Sequence, residues 1–165
     1  MFENIFQDLN AGLPDGERAV ILLGRLIFAM VLGAIVGLQR ERKGKPAGLR
    51  THMLVALGAA LFVIAPAEYG MGNEELSRVV QGLVTGIGFL GAGAILKLEE
   101  KREVEGLTTA AGIWMIAAVG VAVGLGRVGL AVVSTLLTWV TLAWIGRMEN
   151  YINRESQSEP EERAE

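Results

Sequence analysis

Residues Gly86-Ile87-Gly88-Phe89-Leu90-Gly91 have the G-x-G-x-x-G spacing that lets a backbone approach a pyrophosphate where a strand turns into a helix. That chemistry needs a strand before the glycines, a helix after them and an acid about 20 residues on. Here the glycines lie inside an apolar run, Val79–Leu96, and a charged connection, KLEEKREVE, follows it. A Walker loop begun at Gly91 would need glycine where Leu96 stands and Ser or Thr where Leu98 stands. Both nucleotide readings fail. Acid–base chemistry has few candidates, since the chain has one histidine, His52, and no cysteine. Thiolate metal sites, disulfides and multi-histidine sites within one chain are thereby excluded, and no metal or cofactor is expected. Only His52 and Glu41 remain as an acid–base pair, so the expectation is a protein that is not an enzyme.

The elements that position these residues follow from composition. Apolar residues make up 52% of the 165 residues and glycine adds 22 positions, while the charges crowd into the two ends and two internal blocks. Blocks of charge between long apolar runs mark a polytopic membrane protein. A crossing takes about 20 apolar residues, and five runs qualify: Val20–Leu38, Leu49–Ala65, Val79–Leu96, Gly106–Leu125 and Val128–Ile145. No span contains proline, and Pro46 and Pro66 are read as breakers in connections. The expected fold is an all-α integral membrane protein with five transmembrane helices. An N-terminal arm, 1–19, precedes the membrane domain, 20–146, and a polar tail, 147–165, follows it. Within the arm, Phe2, Ile5, Phe6 and Leu9 fall at helical spacing, as in an amphipathic helix lying at the interface.

Orientation follows from Lys and Arg. One side carries three, Arg18, Arg78 and Arg127; the other carries eleven, including Arg40, Arg42, Lys43, Lys45 and Arg50. The N-terminus is therefore expected outside and the C-terminus in the cytoplasm. The net charge of −3 comes largely from the acidic tail and signals no nucleic acid.

Small residues on membrane helices permit close backbone approach. Ala29, Gly33 and Gly37 repeat at four-residue steps in the first span; Gly106, Ala110, Ala117, Gly120 and Gly124 form a stripe in the fourth. In the third, Gly82, Gly86 and Gly93 share one face while Gly88 and Gly91 open others, which predicts a central helix touched by several neighbours.

Two polar clusters emerge. Arg25 lies on the Ala29, Gly33, Gly37 face, so it is expected to point into the bundle, at the depth of Gln81 and Thr85 on the third span, and to meet carbonyls, those side chains, or an anionic lipid or effector, with snorkelling as the alternative. At the cytoplasmic mouth, Gln39, Arg40 and Glu41 end the first span, Arg50, Thr51 and His52 begin the second, and Thr108 and Thr109 begin the fourth. Glu41 is expected to pair with Arg50 or Arg42, and His52 to titrate near neutral pH. Against these stand plainer readings: Thr51 and Thr108 as helix caps, and RERKGK as a topology signal touching anionic lipid.

The segments GAIVGLQRERKGKPAGLRTHMLVALGA, VVQGLVTGIGFLGAGAIL and GLTTAAGIWMIAAVGVAVGLG strongly resemble the MgtC/SapB family of bacterial inner-membrane proteins, in order over residues 20 to 146. The resemblance implies five membrane helices, roles in magnesium-limited growth, acid stress and survival inside host cells, and, for some members, restraint of the F-type ATP synthase. The partners it implies are the lipid bilayer, a membrane protein such as a subunit of that synthase, and a second copy of the chain. Direct passage of magnesium or protons is the competing reading. Two departures stand out. Many members read G-L-E-R-E where this chain has Gln39, and many carry a cytoplasmic C-terminal domain where this chain has about twenty polar residues.

Overall fold

The computed structural model describes residues 15–98 and 103–158. Five helices run up and down: α1 (Gly16–Arg42), α2 (Leu49–Glu68), α3 (Asn73–Gly93), α4 (Leu107–Gly124) and α5 (Val128–Ser158). The chain is an all-α membrane protein: α1 to α4 are each long and apolar enough to cross a bilayer, and α5 carries a shorter apolar stretch, Val128–Trp144. Large apolar side chains cover the outside of the bundle, from Val20, Ile27 and Ile35 on α1 to Leu130 and Leu137 on α5, as lipid contact requires. The amphipathic helix expected from Phe2 to Leu9 lies outside the described residues.

Several boundaries differ from those expected. The α1 helix starts at Gly16 and runs on through Arg40, Glu41 and Arg42, so half of the basic block is helical. Pro66 lies inside α2, not in a connection. A proline in the last turn forfeits one backbone bond and leaves the preceding turns intact. The α3 helix begins at Asn73 and stops at Gly93. The charged connection after it is a small antiparallel hairpin, β1 (Leu96–Leu98) on β2 (Glu103–Glu105), with Lys97 opposite Val104. Helix then continues from the last span into the polar tail as far as Ser158.

The core is built from α1, α2, α4 and α5: Ala29, Leu32 and Val36 meet Ala56, Ala60 and Ile64, with Ile116, Val119 and Val123 between them and Ala131 and Leu142 from α5. The central helix is α4, which touches all four others. No residue of α3 is buried, which overturns the expectation that the glycine-rich third span is central. Close approach is concentrated elsewhere. A Cβ at Gly33 would lie 2.5 Å from the His52 carbonyl oxygen, and one at Gly37 would lie 2.8 Å from the Leu49 Cα. At Gly120 a Cβ would collide with the Ala56 carbonyl, and at Gly124 it would lie 2.8 Å from the Ala60 carbonyl oxygen. These four glycines bring α1 and α4 onto the α2 backbone. Glycine count suggested centrality for α3, but the glycines that matter are those facing a neighbouring helix.

Candidate functional site

At the arginine-rich end, short connections set the geometry. The α1 helix closes through Lys43 and Gly44, and α2 restarts at Leu49. Gly48, the N-cap of α2, has no side chain, and Glu41 takes over that role: its Oε2 accepts from the Leu49 N–H at 2.7 Å. This carboxylate is a helix cap and forms no ion pair with Arg50 or Arg42 among the described residues. Thr51 and Thr108 lie within the first turns of α2 and α4, yet neither helix has a side-chain cap bond at its N-cap. Arg50 and Thr108 are exposed, and Thr51 is half-buried.

What does converge here is Arg40, Thr109 and His52. Arg40 is only 4% exposed, and its terminal nitrogen donates to Thr109 Oγ1 at 2.7 Å across α1 and α4. His52 is fully buried, and its Nδ1–H donates to the Gly48 carbonyl at 2.8 Å. That bond fixes the proton of the neutral ring on Nδ1 and leaves Nε2 as an acceptor. Neither His52 Nε2 nor Arg40 Nε has a partner among the described residues. The ring lies beside Gly112 of α4, where a Cβ would stand at an ordinary contact distance of 3.6 Å from Nε2. His52 is thus a buried strut between α1, α2 and α4, not a mouth residue open to water. Two neighbours fasten α1 to α5: Lys43 Nζ donates to the Leu142 carbonyl at 2.6 Å, and Gln39 Nε2 to the Trp139 carbonyl at 3.4 Å. A glutamate at position 39 would supply no such donor.

The opposite end holds the other cluster, differently composed from the expectation. Arg25 does not meet Gln81 or Thr85. The α1 face it occupies turns toward the α4–α5 connection, and its guanidinium lies 3.1 Å from where a Gly126 Cβ would be. Gly126 has φ +75, so both conformation and space favour glycine there. Gln81 is exposed, and Thr85 Oγ1 donates to the Gln81 carbonyl at 2.9 Å within α3. Arg25 instead lines a cleft of about 450 Å³ with Asp15, Glu17, Arg18, Ile21, Leu22 and Glu68. Helical spacing could have found Glu68, had α2 not been ended at Pro66.

On the flank, α2 and α3 stand apart around an apolar groove of about 540 Å³, with Gly58, Ala59 and Phe62 on one wall and Gly82, Gly86 and Leu90 on the other. A methyl added at Gly82, Gly86, Gly88 or Gly93 would have nothing within 4 Å, and only at Gly91 would it meet a neighbour, Ala110 at 3.7 Å. Within this chain, then, Gly82, Gly86 and Gly93 pack against no other helix.

Comparison with known proteins places these features in a family. The family model described as the MgtC family matches residues 26–151. Protein SrpB of Synechococcus elongatus is 45% identical over 149 residues, covering 83% of this chain and 81% of that protein. The YhiD protein of Escherichia coli K12, named as a candidate magnesium transporter, is 40% identical over 72% of this chain and 57% of its own length. Protein MgtC of Salmonella typhimurium LT2 is 42% identical over 68% of this chain and 47% of its own length. The chain therefore spans most of the cyanobacterial relative and about half of the two enterobacterial ones. No solved structure matches it.

Proposed function

The chain belongs to the MgtC family, and on that premise we propose that it serves magnesium and pH homeostasis in the bacterial inner membrane by docking a helix of another membrane protein on α3. One observation carries this reading: one face of α3, with Gly82, Gly86 and Gly93, is smoothed by glycine and left uncovered by the rest of the described chain. Lipid tails gain little from a smooth backbone, whereas a second helix gains close van der Waals contact. Phe89, 81% exposed, stands among these glycines as a knob for a facing helix. The eleven-to-three distribution of Lys and Arg supports an N-terminus outside and a cytoplasmic C-terminus. The F-type ATP synthase is the partner that the family resemblance suggests.

A competing reading, direct magnesium passage, draws on the name of the Escherichia coli relative. Magnesium favours oxygen ligands, usually including a carboxylate. Because the chain has no native cysteine, single cysteines at Gly86 and Phe89 give a clean crosslinking test in living cells. A specific partner captured from these positions and not from Leu130 is the expected outcome. Magnesium flux into liposomes containing only the purified chain, with no capture from α3, would favour transport instead.

A further inference from the structure

The cleft at the α1 N-terminal end contains charges that do not cancel one another. Arg18 is tied to Glu68 by two contacts, Nε to Oε2 at 2.8 Å and a terminal nitrogen to Oε1 at 3.2 Å. Arg25 has no carboxylate within ion-pair distance among the described residues, and neither Asp15 nor Glu17 has a cation. All of them border the same space of about 450 Å³. Their order along α1 is fixed: the Arg25 Cα lies about 12 Å below that of Glu17 at 1.5 Å per residue. Helical side chains lean toward the N-terminus, which brings the guanidinium up to the turn at Gly126.

A simple anion entering this cleft meets the carboxylates of Asp15, Glu17 and Glu68, and a simple cation meets Arg25. A ligand bearing both signs, with the anion inward and the cation outward, satisfies both ends. Phosphate suits the fork of an arginine, and a primary ammonium offers three N–H donors to carboxylates. A quaternary ammonium has no N–H and is held by aromatic faces, but none of the residues lining this cleft is aromatic. Ethanolamine phospholipids present phosphate toward the acyl chains and ammonium toward water.

We infer that this cleft is a headgroup site for a phosphate carrying a primary ammonium, with the phosphate on Arg25 and the ammonium on Asp15 and Glu17. The same headgroup chemistry exists in a lipid and in soluble phosphoethanolamine, so the test separates them. The purified full chain is mixed with equal amounts of phosphatidylethanolamine, phosphatidylcholine and phosphatidylglycerol in detergent, and retained lipid is counted by native mass spectrometry. Phosphatidylethanolamine is expected to be retained about tenfold over phosphatidylcholine, the ratio that one or two added hydrogen bonds confer. Arg25→Gln removes that retention and Arg25→Lys keeps part of it. Asp15→Asn with Glu17→Gln levels the two lipids while phosphate-dependent binding persists. Soluble phosphoethanolamine displaces the retained lipid; if it binds through Arg25 while no phosphatidylethanolamine is held, the headgroup chemistry stands and the source is soluble. Equal retention of the three lipids, or retention indifferent to Arg25→Gln with no Arg25-dependent binding of the soluble compound, overturns the site. Should Arg25→Gln fail to fold, Arg25→Lys and the carboxylate pair decide the matter.

Discussion

Arg40 and Arg25 are both long cations in a bundle of apolar helices, and they differ in what surrounds them. Arg40 is buried against Thr109, so Thr109→Val, which keeps shape and removes the acceptor, is expected to cost about 1–3 kcal/mol. A detergent melt of the purified variant measures it, and an unchanged midpoint would remove Thr109 from the group that holds Arg40. Glycines offer a sharper contrast. Gly120→Ala places a methyl against the Ala56 carbonyl and is expected to destabilise by about 1–3 kcal/mol. Gly86→Ala meets open space and is expected to leave the melt unchanged or raise it slightly, because alanine favours helix by about 1 kcal/mol. Equal losses from the two substitutions would mean that α3 packs within the chain after all.

Helix by helix, apolar runs bounded by charge located all five helices, because insertion into lipid depends mainly on length and hydropathy. Their ends were less legible: charged residues such as Arg40 and Glu41 continue α1 where a membrane criterion stops it. The rank of the helices was not legible from glycine content either. Gly86 and Gly120 look alike in sequence, and only the tertiary arrangement puts Gly120 against a backbone. The site was half visible. Arg40, His52 and Thr109 all stand in the mouth cluster that the sequence offers, but Arg40 also belongs to a basic block that topology alone explains, and Glu41 caps a helix where an ion pair was expected. That cap yields its own expectation: Glu41→Ala should cost about 1 kcal/mol and loosen the start of α2. Hydrogen exchange in the peptide containing Leu49 reads it, and protection equal to the parent chain would remove Glu41 from the cap.

As a whole, the molecule is four helices around a shared core with a fifth alongside. The expected orientation can be read from single cysteines placed at Arg18 and at Lys45, which stand at opposite ends of α1. In intact cells a membrane-impermeant thiol reagent should label position 18 and spare position 45; the reverse pattern would invert the whole assignment.

Because α3 contributes no buried residue, substitutions along its outer face escape the constraint that binds the other helices. Evolution can therefore rewrite that face one residue at a time without first repairing the interior. Under the docking proposed for α3, a lineage that changed its companion in the membrane would need only to recut that face, and the interior shared by the other helices would descend unchanged.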